Sequence, residues 1–376
     1  MGRILVTTRR RDAALTGPGR RLVPVGLFTP EEAVSYLAAS LAAHDRHEPE
    51  LADLAAELGH LPLALSQAVA YLIDAGLDCA TYREMLADRA RTLADALPDP
   101  EALPDDQHLT LDAAWSLSVD RADALRPAGL ARPMLHLAAL LDPNGIPATV
   151  LTSTPALAYL SAHRAAPHDG QEAADVTVED ATGALRALHR LSLLDHTPDH
   201  PHQTVRVHQL VQRATRDTLH PNHRDALARV VADALIVAWP AIDRDTDLAQ
   251  ALRANTTALT HHAEDALWQP DGHPVLFRAG TSLGETGQVT AAIDHFQHLT
   301  DTALTRLGPD HPATLIARGN LAHWRGEAGD AVGAATAYEE LLEHMTRVLG
   351  PDHPHTLTTR SNLVRWREEA KKAIDG

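Results

Sequence analysis

Residues 307–328 read LGPDHPATLIARGNLAHWRGEA, and residues 349–370 read LGPDHPHTLTTRSNLVRWREEA. The offset is 42 residues, and 15 of the 22 positions are identical. A period of this length means stacked supersecondary units rather than one continuous core. One period earlier, GETGQVTAAIDHF (284–296) matches GEAGDAVGAATAY (326–338) more loosely. Each unit reads as a helix pair. Pro312 and Pro354 stand where a first helical turn tolerates proline. Leu321/Trp324 and Leu363/Trp366 have i, i+3 apolar spacing, and Gly329 marks the turn between helices. The second helix carries Ala334, Tyr338, Leu341, Leu342 and Met345 on one broad apolar face. The chain is therefore expected to be mainly α, closing in an α-solenoid over 276–376. Its last unit stops after one helix with a polar end (Arg367, Glu368, Glu369, Lys371, Lys372).

Composition narrows the classes. The 376 residues allow two to four domains. A single cysteine, Cys79, excludes an internal disulfide framework and a cysteine-rich zinc module. No apolar run approaches the ~20 residues of a membrane span, and MGRILVTTRRRD has no secretory h-region. A reducing cytoplasm is the expected location. The charge balance is 33 basic against 50 acidic residues, −17 formally. That disfavours nucleic acid, because phosphate neutralisation supplies most non-specific affinity. Only Lys371 and Lys372 are lysines, so no P-loop or Schiff-base lysine is available.

The segments upstream of the repeats read as helices with one β exception. Thr29-Pro30-Glu31-Glu32 is a capping box, followed by a helix burying Val34, Leu37 and Leu41. A second helix runs through Leu51, Leu54 and Leu58 to Gly59-His60-Leu61-Pro62. Pro62 opens a third helix through Leu65, Val69 and Leu72, and Thr81 caps a fourth. The Pro- and Asp-rich stretch 97–108 reads as a linker. Around 191–208, LSLLDHT and TVRVH flank a polar turn and predict a β-hairpin followed by a helix, the pattern of a winged helix. At the start, Ile4 to Thr8 reads as a buried strand ending in hydroxyls and Arg9. A strand end aims polar groups at a ligand crevice in open α/β sheets.

The repeats resemble the long, 42-residue bacterial form of the tetratricopeptide repeat, over about two and a half units. The order of the remaining motifs resembles a second family. ILVTTR (4–9), a capped helix, GHLPLAL (59–65), LHLAALLDPNGIP (135–147), VRVHQLVQ (205–212) and then repeats is similar to the NB-ARC class of STAND nucleotide-switch ATPases. This resemblance covers residues 1 to about 220. It implies a nucleotide-domain remnant (1–25), a helical ARC-type domain (26–100), a winged helix (101–220), a helical connector (221–275) and the repeats (276–376). It also implies ADP or ATP as ligand. Arg9, after Thr7 and Thr8, matches the arginine that probes the terminal phosphate. Pro62 matches the proline that packs on adenine, and His208 matches the histidine that contacts the β-phosphate of ADP. The family has aspartate where this chain has Gln209.

Two elements of that family are missing. There is no G-x-x-x-x-G-K-[ST] loop, and no apolar strand with paired acids precedes ILVTTR. In the family both lie in an upstream nucleotide-binding domain, so the chain reads as the C-terminal part of a longer switch protein. Hydrogen bonds to charged groups contribute about 1.5–3 kcal/mol each. Losing three of them turns a micromolar site into a millimolar one or weaker. Nucleotide is therefore expected to bind this chain weakly, without turnover. The first ~25 residues, lacking neighbouring strands, are expected to be disordered or exposed.

Other chemistry is thin. His196, His200 and His202 have loop spacing open to a metal but also read as a polar turn. His261-His262 is a helix-face pair, and His311 and His353 recur with the repeat as turn residues. Cys79 has no base partner. Three functions stay open: a regulatory switch fragment whose repeats bind a protein, a free-standing repeat scaffold, or a winged-helix DNA regulator. Against the last, the segment after His208 (Leu210, Val211, Arg213, Arg216, Asp217) carries only two arginines.

Overall fold

The computed structural model describes residues 26–44, 46–87, 111–165, 175–200 and 202–375. The expected strand at 4–9, with Thr8 and Arg9, and the linker at 97–108 lie outside these. Seventeen helices and one two-stranded sheet form among the described residues. Two compact units are present, Met1–Leu227 and Ala228–Gly376. Among the described residues no helix is long and apolar enough to cross a membrane.

The first unit begins with α1 (Pro30–Ala42), α2 (Leu51–Glu57), α3 (Pro62–Ala75) and α4 (Cys79–Ala87). The capping box forms as expected: Thr29 Oγ1 accepts from Glu32 N at 3.2 Å, and Glu32 Oε2 accepts from Thr29 N at 2.8 Å. The helix α1 buries Ala33, Leu37 and Leu41, while Val34 is only partly buried. The α4 cap differs from expectation. Asp78 Oδ1 accepts from Thr81 N at 2.8 Å, so Thr81 lies inside the helix. A carboxylate accepts an orphan N–H more strongly than a hydroxyl does, and it suits the positive helix N-terminus. Leu37, Leu54, Leu65, Leu72, Cys79 and Tyr82 make the core of these four helices.

The unit continues with α5 (Leu111–Asp123), α6 (Ala131–Ala138), α7 (Ala148–Leu151), α8 (Thr154–His163) and α9 (Val178–Arg190). Then come β1 (Asp195–His196), β2 (Val205–Arg206), α10 (Gln209–Asp217) and α11 (Pro221–Ala238). The hairpin is as short as a sheet can be: Asp195 pairs Arg206 and His196 pairs Val205, antiparallel. Val205 also bridges Ile146, with Ile146 N donating to Val205 O at 2.8 Å. The boundary between the units falls inside α11.

The second unit holds α12 (Thr246–Leu267), α13 (Pro274–Glu285), α14 (Val289–Leu307), α15 (Pro312–Glu327), α16 (Ala331–Val348) and α17 (Pro354–Asp375). Each packs on the next in sequence, and α15 also touches α13 and α17. The expected apolar face of α16 is present, with Ala334, Tyr338, Leu341 and Met345 buried and Leu342 at its margin. The 42-residue period has a physical joint. A Cβ on Gly284 would collide with the Trp324 ring, and one on Gly326 would lie 2.6 Å from Trp366 Cη2. Each tryptophan thus rests on a glycine of the preceding odd-numbered helix.

Candidate functional site

Three of the sequence motifs meet in the first unit. The chain leaves α2 through two left-handed residues, Gly59 (φ +62°) and His60 (φ +55°), before Pro62 opens α3. His60 N donates to Ala55 O, and His60 O accepts from Phe28 N at 3.0 Å. His208 reaches this loop from 149 residues away, with Nε2 3.2 Å from Gly59 O. Its Nδ1 accepts from Leu210 N at 3.2 Å, which makes His208 the N-cap of α10. Those two bonds fix the tautomer: Nδ1 is bare and Nε2 carries the hydrogen. Burial holds the His208 pKa below the ordinary histidine range, against the opposing bond to Gly59.

Gln209 supplies the second half of the joint. Its Nε2 donates to Glu57 O at 2.6 Å and to Ala56 O at 3.1 Å. These are terminal carbonyls of α2; Ala56 O also accepts from Gly59 N at 2.9 Å. An aspartate at 209, acceptor-only, would face the same carbonyls with nothing to donate. The departure from the resembled family thus has a local reason. The third motif enters through Gln212, whose Nε2 donates to Ala138 O (2.8 Å) and Leu141 O (2.9 Å), and through Val207 N to Pro143 O at 3.1 Å. Leu210 inserts into the core of α1–α4.

Of the expected ligand residues, His208 and the loop that ends at Pro62 are together. Thr8 and Arg9 lie outside the described residues. The arginines of α10 are engaged with helix-end carbonyls: Arg213 Nη1 donates to Leu86 O, and Arg216 Nη1 to Ala139 O at 2.6 Å. Among the described residues no group of three or more His, Cys, Asp or Glu gathers around a point that could hold a metal. His196 N instead donates to His189 Nδ1 at 3.2 Å. Cys79 is buried, and burial with Glu48 nearby raises its thiol to about 11, so it stays protonated and unreactive.

The second unit holds a separate feature, a groove of about 670 Å³ between α12, α13 and α14. Trp268, Leu276, Leu283 and Leu299 line it with Arg253 and three histidines. It reaches back onto α12, upstream of the 276 boundary read from the repeats. No periodicity marked α12 as part of a site.

Residues 122–224 match a family described as a domain of unknown function (DUF7779), about a quarter of the chain. The match includes LHLAALLDPNGIP and VRVHQLVQ and excludes both the Gly59 loop and the groove. No curated protein matches the chain.

Proposed function

We propose that this chain is a regulatory module of the STAND-switch type that signals by binding a protein and catalyses nothing alone. In this reading α1–α4 are the ARC-type helices, α5–α10 with the hairpin are the winged helix, and α11 and α12 are the connector. The helices α13–α17 are then tetratricopeptide-like repeats. The observation that carries it is the joint between Gly59 and His208-Gln209. Two short motifs, 149 residues apart in sequence, meet at the place where the resembled family closes its resting state.

The Gly59 loop and His208 do not by themselves fit ADP. His208 Nε2 has one hydrogen, and it is directed at Gly59 O. A phosphate could take it only by releasing that carbonyl. The space over Gly59 is filled by the imidazole, 2.5 Å from a hypothetical Cβ. The switch is therefore read as a protein–protein device: the joint holds the closed state, and a partner with higher affinity for the open state shifts the population. Calorimetric titration of ADP into the chain, with and without magnesium, should show nothing tighter than about 1 mM. Binding tighter than about 100 µM that disappears in His208→Ala would overturn this reading and return nucleotide control to the chain itself.

A second reading, a scaffold whose repeats bind a protein while the first unit is inert, is favoured by the groove. It predicts partner affinity unchanged by His208→Ala. DNA binding has less support, since Arg213 and Arg216 are held by backbone carbonyls.

A further inference from the structure

The groove of the second unit has a readable chemistry. Three threonines of α12 turn their hydroxyls back onto their own helix: Thr256 to Leu252 O, Thr257 to Arg253 O and Thr260 to Thr256 O, each at 2.9–3.0 Å. Their donor hydrogens are thereby used within the helix. With Trp268, Leu276, Leu283 and Leu299 the threonines make a mainly apolar trough. Its fixed charges are Arg253 and Glu264. Glu264 pairs with Arg306 at 3.6 Å. Arg253 does not pair. Its Nη1 donates to Ser282 Oγ at 2.7 Å, with Ser282 O and Thr286 Oγ1 at 3.4 Å, and among the described residues no carboxylate lies within 4 Å of it. Asp243, the carboxylate that acts on Arg253 from a distance, holds Arg278 through Oδ1 at 2.6 Å and leaves its Oδ2 buried without a hydrogen-bond partner among the described residues. Burial disfavours the Arg253 charge, with Asp243 opposing from a distance.

We propose that this groove takes an extended segment of a partner protein, with an Asp or Glu side chain on the Arg253 guanidinium and an adjacent apolar side chain between Leu276 and Leu299. This rests on the protein-binding reading above and adds the partner's chemistry. The fork geometry of a guanidinium suits a carboxylate, and Arg253 is a cation lining the trough that makes no direct ion pair among the described residues. Length favours a peptide over a small acid. Lining residues on α12 run from Gln250 to Glu264, about 21 Å at 1.5 Å per residue. About six residues of extended chain cover that span.

The test is selection of random peptides of roughly twelve residues displayed on phage, against the full-length chain and its Arg253→Gln variant. Display fuses the peptide C-terminus, so any acid selected is a side chain. The expected result is enrichment of Asp or Glu beside Leu, Ile or Phe on the wild type, absent on Arg253→Gln. The best peptide, measured by fluorescence anisotropy, should weaken about tenfold to a hundredfold in Arg253→Gln. It should be unchanged in Arg347→Gln, on α16 away from the groove. Arg253→Lys, which keeps the charge but loses the fork, should fall between, and circular dichroism checks that each variant is folded. Peptides without acid enrichment, or acidic peptides indifferent to Arg253, overturn the carboxylate assignment and leave the protein-binding reading standing. No selected peptide at all removes that reading as well. Competition by free glutarate at the peptide's own concentration would assign the site to a small acid instead and overturn the peptide.

Discussion

A methyl group at position 59 has nowhere to go. Gly59 sits at φ +62°, and its Cβ would lie 2.5 Å from His208 Nε2. Left-handed backbone costs a non-glycine residue roughly 1–2 kcal/mol, and displacing the imidazole forfeits a hydrogen bond of about 1 kcal/mol. Gly59→Ala should therefore destabilise the first unit by about 2–3 kcal/mol in urea unfolding. His208→Ala removes both the Gly59 bond and the α10 cap, for a similar loss. If the two residues share one joint, the double variant loses less than the sum, by about 1 kcal/mol. Strict additivity would show that they act separately. Gln209 was legible only as a departure from the resembled family. Its role needs the α2 carbonyls, which sequence spacing does not place beside it.

The helices reveal two devices that the sequence showed only in outline. The first is capping by histidine. His208, His273, His311 and His353 each accept, through Nδ1, the N–H two residues on, at 3.2–3.3 Å. Histidine is outside the usual set of cap residues. The His-Pro pairs of the repeat therefore read as turns, and only Nδ1 geometry shows them to be caps. The second device is the tryptophan-on-glycine joint. The period was plain in the sequence, but it did not separate turn glycines from contact glycines. Gly329 (φ +104°) is a turn, whereas Gly326 is a helical seat for Trp366. The joint has a cost, since the indole N–H groups of Trp324 and Trp366 are buried without an acceptor among the described residues. Gly326→Ala should overpack this seat and destabilise the second unit by about 1–3 kcal/mol. Gly319→Ala, also in α15, meets only Leu341 Cδ2 at 3.4 Å. It should be neutral or stabilising by up to about 1 kcal/mol. Equal losses in the two variants, by thermal unfolding, would refute the seat.

Across the whole molecule, histidine burial sets the response to acid. His136, His196, His208, His223, His273, His295 and His323 are all lowered from 6.5, burial being the main cause in each. His136, lowered to about 4, lies 3.3 Å from the Tyr159 hydroxyl, which is 3.0 Å from His223 Nε2. Between the folded and unfolded values the unfolded chain binds more protons, so stability falls as pH drops from about 6.5 towards 4. His136 alone contributes about 3 kcal/mol of that loss. Urea midpoints at pH 7 and 4.5 should differ accordingly, and equal midpoints would contradict it. The helical class and the solenoid-like end were legible because their periods are local. Motif order suggested a shared ligand for Pro62 and His208 but not the convergence of residues 59–65, 135–147 and 205–212, because contacts spanning 149 residues leave no local period. The groove on α12 left no sequence signal, because its one telling feature is an arginine without a carboxylate. The Gly59–His208 joint holds the first unit's motifs together, and amide hydrogen exchange of the chain against His208→Ala tests it directly. Exchange should rise in residues 55–62 and 209–213 and stay unchanged in α13–α17. Unaltered protection at Gly59, His60 and Leu210 would contradict the joint and the regulatory reading built on it.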